Sequence, residues 1–160
     1  MTAIDRIVIL GIGNLLKGDD GVGVRVIEAL AARDDLPPEV ELIDGGTGGP
    51  TLLIHFEGAR ALILIDAVNL AAPPGTIRPF GLEEIESTAG EAAPFSLHDV
   101  GILSMLDLAR RLDRLPPRVR IVGIQPDRFD LGDRLSEAVA AAVSQAAEAV
   151  LRELAGLTKA

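Results

Sequence analysis

Arg6-Ile7-Val8-Ile9-Leu10-Gly11-Ile12-Gly13-Asn14-Leu15-Leu16-Lys17-Gly18-Asp19-Asp20-Gly21-Val22-Gly23 is the stretch that decides the fold. Its first third, Arg6–Gly11, is apolar and β-branched and stops at a glycine, the pattern of a buried strand. From Asp20 onward the period changes. Val22, Val26, Ile27 and Leu30 fall at i, i+4, i+5 and i+8, which places them on one face of a helix. A strand that passes through a glycine-rich turn into a helix is the opening unit of an α/β fold.

The same alternation continues outward. Pro37-Pro38 stops the helix, and Val40–Ile43 reads as a second strand ending in Asp44-Gly45-Gly46. A short helix is expected around Pro50–Glu57, then a third strand at Ala61–Ile65. A weaker fourth strand spans Thr76–Phe80 after Pro73-Pro74-Gly75. Ser96-Leu97-His98-Asp99 matches the S-x-x-D/E capping pattern and predicts a helix running to about Leu112. Arg118–Ile124 is a fifth strand, and Leu135, Val139, Val143, Val150, Leu151 and Leu154 stripe a terminal helix that starts near Ser136. Strands alternating with helices predict a largely parallel sheet covered on both faces, with functional sites at the carboxyl ends of its strands. No repeat or linker divides the chain, so residues 1–160 read as one domain.

Composition removes several functional classes. The chain has 160 residues, of which 48% are hydrophobic and 24% charged, so it can bury a core. Its net charge of -9 and aromatic content of 2%, without Trp or Tyr, speak against nucleic-acid binding, which uses basic patches and stacking rings. The absence of Cys excludes disulfides, thiolate catalysis, Cys-zinc sites and iron–sulfur clusters. No basic region leads into a long apolar run at the N-terminus, and the apolar runs Arg6–Leu10 and Ala61–Ile65 are too short to span a bilayer. A cytoplasmic protein with no membrane partner is the expectation.

Polar residues just beyond the strands are the candidates for chemistry: Asn14, Asp19 and Asp20 after the first, Asp44 after the second, Asp66 after the third and Gln125 after the fifth. His98, one of two histidines, opens a helix. If the second and third strands flank the first, Asp20 and Asp66 border the crevice where the chain reverses direction. Two carboxylates and an imidazole suit a divalent cation that keeps positions open for substrate. Each also has a plainer role. Asp19 or Asp20 is at home as a helix cap, Asp66 and Asp44 as turn residues, His98 as a structural residue of a first turn, and His55 as a packed or surface side chain. Spacing alone leaves these alternatives open. Gly11-x-Gly13 resembles part of a dinucleotide fingerprint, but Leu16 stands where the third glycine belongs and two aspartates follow. No Gly-x-Ser-x-Gly or His-Glu-x-x-His motif is present.

The Gly11–Gly23 stretch closely resembles the N-terminal signature of the hydrogenase maturation protease family. The likeness continues in Asp44-Gly45-Gly46-Thr47, Ile65-Asp66-Ala67, Pro74-Gly75-Thr76, His98-x-x-Gly101 and Gly123-Ile124-Gln125-Pro126. Each block is weak, but the ordered set from residue 6 to about 126 is specific. The resemblance implies an α/β/α sandwich around a five-stranded mixed sheet, mostly parallel with one antiparallel strand, for which Thr76–Phe80 is the candidate. It implies an endopeptidase that removes the C-terminal extension of a nickel–iron hydrogenase large-subunit precursor after nickel insertion. The family's metal-binding residues are an acidic residue in the first loop, an Asp ending the third strand and a His, which correspond to Asp20, Asp66 and His98. The nickel would arrive with the precursor, so the enzyme itself is expected to be metal-free at rest. Asp44 is a candidate for an assisting role, and a monomer is the default expectation.

Overall fold

The computed structural model describes residues 5–86, 96–97 and 100–158. The chain runs through β1 (Ile7–Ile12), a 3-10 turn (Gly18–Gly21), α1 (Val22–Ala31), β2 (Val40–Gly46) and a second 3-10 helix (Gly49–His55). It continues through β3 (Ala61–Asn69), β4 (Ile77–Gly81), α2 (Leu82–Glu86), β5 (Ser96–Leu97), α3 (Val100–Arg111), β6 (Arg118–Ile124) and α4 (Glu137–Thr158).

Five strands lie side by side in the order β2-β1-β3-β6-β4. β1 pairs in parallel with both β2 and β3, β3 pairs in parallel with β6, and β4 runs antiparallel to β6. This is the five-stranded mixed sheet that the sequence implied, with the odd strand where Thr76–Phe80 placed it. The two-residue β5 joins off the main order and pairs antiparallel with the end of β3.

Strands buried on both faces need apolar residues at every position, not at alternate ones. Ile7 to Leu10 and Ala61 to Ile65 meet that need and are completely buried. Alternation then sorts them into two cores. Ile7, Ile9, Ile63, Ile65 and Ala67 pack with Val22, Val26, Ile27 and Leu30 of α1 and with α4. Val8, Leu10, Leu62, Leu64 and Val68 pack on the opposite face with Leu52, Leu53 and Phe56, and with Ile102, Met105, Leu106 and Ala109 of α3. The result is three layers.

Two boundaries and one helix face depart from expectation for reasons visible in the packing, and β2 also runs past Ile43 to Gly46. β3 does not stop at Ile65 but continues to Asn69, so Asp66 lies inside a strand, because β6 extends the ladder through Asp66↔Gly123 and Ala67↔Ile124. Ser96 does not cap a helix: Ser96 and Leu97 are extended, drawn onto β3 by the pairs Asn69↔Ser96 and Val68↔Leu97, and α3 starts at Val100. The buried face of α4 is carried as much by Ala142, Ala146, Ala147 and Ala149 as by the larger residues of the expected stripe. These small side chains allow close packing against α1, while Arg120 of β6 pairs with Glu153 at 3.0 Å across the sheet–helix gap.

Candidate active site at the carboxyl end of the sheet

β1 ends at Ile12, and the nine residues Gly13–Gly21 lead from its end into α1. The Gly13 amide donates to the Gly46 carbonyl at 2.9 Å, and the Asn14 side chain accepts from the Leu16 amide at 2.9 Å to form a local turn. The chain then tightens into the 3-10 turn Gly18–Gly21, which carries Asp19 and Asp20 and leads directly into α1. Asp20 reaches back across this loop: its carboxylate accepts the Asn14 amide at 2.8 Å. Its side chain is largely enclosed, the residue being 7% exposed.

Two glycines make this approach possible. Gly13 has φ of +144°, and a Cβ there would sit 1.8 Å from the Asp20 carbonyl oxygen. The Gly13 position is thus closed by the chain's own acidic turn, which uses the backbone proximity that a dinucleotide pyrophosphate would need. Gly23 lets α1 lie on the sheet: a Cβ there would stand 2.3 Å from the Ile65 carbonyl and 2.6 Å from that of Ile12. The start of α1 therefore packs on β3 at the residue immediately before Asp66, and the acidic turn that precedes it also contacts β3.

Asp66 is 1% exposed. The β1–β3 ladder ends at Gly11↔Ile65, so Asp66 is the first residue of β3 beyond its pairing with β1. By strand alternation it shares a face with Leu64 and Val68, the face that α3 covers. On its other side it pairs with Gly123. Leu97, which precedes His98 in the chain, pairs with Val68. His98 lies outside the described residues. Among the described residues no group of three or more His, Cys, Asp or Glu side chains is placed to hold a metal ion. Among the described residues, Asp20 and Asp66 are the buried carboxylates at this end of the sheet other than Asp19, and carboxylate oxygens are hard donors of the kind a divalent cation takes.

Asp19 and Asp20 divide their roles. The Asp19 carboxylate is completely buried and accepts four hydrogen bonds: from the Ser136 amide and hydroxyl, each at 2.7 Å, and from the amides of Asp127 at 2.8 Å and Arg128 at 3.1 Å. Burial pushes its pKa up, but the Ser136, Asp127 and Arg128 donors together outweigh burial and hold the carboxyl below its ordinary value. With its acceptor sites occupied, Asp19 is an anchor, whereas Asp20 holds the Asn14 amide within the loop.

The remaining candidates are placed elsewhere or otherwise engaged. Asp44 lies within β2, opposite Gly11, and its exposed carboxylate accepts the Gly46 amide at 3.0 Å, an Asx turn at a bulge in the β1–β2 ladder. His55 ends the second 3-10 helix, and its carbonyl accepts from Arg6 at 2.8 Å. The Gln125 side-chain oxygen accepts the Leu70 amide just beyond β3, and its amide nitrogen donates to the Pro126 carbonyl at 3.2 Å. Ser136 had no place among the sequence candidates. The one signal for it is position, a serine immediately before a terminal helix, where an acidic partner from elsewhere can join the cap.

A description of the hydrogenase maturation protease family matches residues 24–153. The chain belongs to the hydrogenase maturation protease family. It is 40% identical over 143 residues to the hydrogenase expression/formation protein HoxM of Cupriavidus necator, covering 89% of this chain and 70% of that one. It is 35% identical over 150 residues to the hydrogenase 2 maturation protease of Escherichia coli, covering 93% of this chain and 90% of that one. The solved structure of the hydrogenase maturating endopeptidase HybD from Escherichia coli superposes with a TM-score of 0.82 at 34% identity, covering 94% of this chain and 93% of that one. As a hydrogenase maturation protease the protein is a maturation endopeptidase, and so a hydrolase. Among the described residues no helix is long and apolar enough to cross a membrane.

Proposed function

We propose that this protease removes the C-terminal extension of a nickel–iron hydrogenase large-subunit precursor once nickel is inserted, and that it reads the precursor's nickel through Asp20, Asp66 and His98. The observation that carries this reading is the approach of two buried acidic positions: the turn bearing Asp20 contacts β3, and Gly23, three residues further on at the start of α1, is seated against Ile65, next to Asp66. Carboxylate oxygens are hard donors, and two of them beside an imidazole suit a divalent cation carried by the substrate.

In this reading nickel is part of the substrate and the enzyme holds no metal at rest. Asp20 and Asp66 provide anionic oxygen ligands and His98 an imidazole nitrogen, completing the coordination of the precursor's ion. The coordinated ion fixes the adjacent backbone against the sheet end and draws electron density from the scissile carbonyl or from a water. Water then adds to the carbonyl carbon, the C–N bond breaks, and the proton released by water passes to the leaving amine. Asp44, exposed at the neighbouring end of β2, is the candidate to carry that proton. The work is done by a monomer in the cytoplasm.

Asp66→Ala and His98→Ala test the site. Each is expected to give a folded protein that leaves a nickel-loaded precursor at full length. Normal shortening by either variant contradicts its assignment.

A further inference from the structure

Between β6 and α4 the chain makes a long excursion, Gln125 to Ser136, which the reading above does not use. It is tied down at both ends. At the first end the Gln125 backbone bonds both ways with the β4 approach, its amide to the Thr76 carbonyl at 2.8 Å and its carbonyl to the Gly75 amide at 2.9 Å. Its side chain accepts the amide of Leu70, immediately beyond β3. At the other end the excursion is bound to the acidic turn. Gly132 and Lys17 form a parallel bridge, with the Gly132 amide donating to Leu16 at 2.9 Å and its carbonyl accepting from Gly18 at 3.0 Å. The Asp19 amide donates to the Arg128 carbonyl at 3.1 Å, and the Asp19 carboxylate gathers Asp127, Arg128 and Ser136. Arg25 of α1 adds a bond to the Asp133 carbonyl at 3.0 Å.

The two elements held by this strap are the two that carry the candidate acids. Gln125 grips the segment that follows Asp66, and Asp19 is the chain neighbour of Asp20. We infer that Gln125–Ser136 is a spacer that fixes Asp20 relative to Asp66, with Asp19 and Gln125 as positioning residues at its ends. The inference rests on the assignment of Asp20 and Asp66 as the site. A strap fastened at only one end would leave the acidic turn free to shift on β3, and a displacement of about 1 Å in a reacting geometry is enough to cost on the order of a hundredfold in rate.

Gln125→Ala and Ser136→Ala loosen opposite ends of the strap while leaving Asp19 in place, so both variants keep the anchor on which the local fold depends. Two readouts decide the matter. On the free protein, amide hydrogen exchange is followed at Asn14, whose N–H bonds Asp20. Gln125→Ala is expected to speed exchange at Asn14, across the strap, as well as at Leu70; acceleration confined to Leu70 overturns the inference. With a nickel-loaded large-subunit precursor, each variant is expected to lower kcat by roughly tenfold or more with KM within about twofold. The double variant is then expected to fall well short of the product of the two losses, since both act through one spacing. Unchanged kcat, or losses that multiply as for independent sites, overturns it. If the wild-type protein does not shorten the precursor, the proposed function fails, and exchange at Asn14 still decides for or against the strap.

Discussion

The Asp19 carboxylate and Ser136 are joined twice, the amide and the hydroxyl of Ser136 each donating to it at 2.7 Å across 117 residues of sequence. This pair closes the acidic turn onto the start of the terminal helix. Charge-assisted hydrogen bonds of this kind are the strong ones, and a buried carboxylate is tolerated because its acceptor sites are filled. Removing the hydroxyl in Ser136→Ala is expected to cost about 1.5–3 kcal/mol. Asp19→Ala leaves several buried donors unmet and is expected to cost roughly 3–5 kcal/mol. Urea unfolding of the two variants against wild type checks both the order and the size.

The same carboxylate sets an acid limit. Its pKa in the folded protein lies below the ordinary 3.8, so folding favours the ionised form. That contribution is fully present above the unfolded value and is lost as pH falls through the folded one. Unfolding free energy measured from neutral pH downward should therefore drop below about pH 4 more steeply in wild type than in Asp19→Asn, which has no such proton to take up. Parallel curves would remove Asp19 as a source of the acid sensitivity.

Gly23→Ala places a methyl group where the Ile65 and Ile12 carbonyl oxygens already stand, at 2.3 and 2.6 Å from the ideal Cβ. Both obstacles are backbone, so α1 must lift from the sheet. The expected destabilisation is about 1–3 kcal/mol, read as a lowered midpoint in thermal or urea unfolding. Because Gly23 seats the start of α1, directly after the acidic turn, against the residue before Asp66, precursor processing should also fall at temperatures where the variant is still folded. Full processing by a folded Gly23→Ala would show that the site tolerates displacement of the helix.

Much of this architecture was legible in the sequence. Arg118–Ile124 was bounded correctly because an apolar β-branched run there is framed by Pro116-Pro117 and Gln125-Pro126. The face of α1 was legible because Val22, Val26, Ile27 and Leu30 contrast with polar neighbours. The extent of β3 was not, since a charged residue after an apolar run resembles a strand end. Asp66 stays in the strand because β6 continues beside it although the pairing with β1 has ended. The alanine face of α4 was hidden for a different reason: alanine carries little hydrophobic contrast, and its value there is closeness of packing. The separate fates of Asp19 and Asp20 depend on a partner 117 residues away, which no local pattern encodes. His98 was singled out by the sequence and lies outside the described residues.

Asp44 offers a clean separation of turn and reaction. Asp44→Asn keeps the side-chain oxygen that accepts the Gly46 amide, so stability should change by no more than about 0.5 kcal/mol. It removes the negative charge and the ability to take a proton. If Asp44 assists the reaction, kcat for precursor cleavage falls while unfolding is unchanged. A variant with unaltered kinetics makes Asp44 a turn residue alone.

The proposed recognition of the precursor's nickel by Asp20, Asp66 and His98 makes cleavage conditional on the metal. Intact-mass spectrometry of a hydrogenase large-subunit precursor, incubated with this protein with and without inserted nickel, tests it most directly. The nickel-loaded precursor is expected to lose a C-terminal segment and the nickel-free one to keep its mass. Equal shortening of both, or shortening of neither, would contradict it.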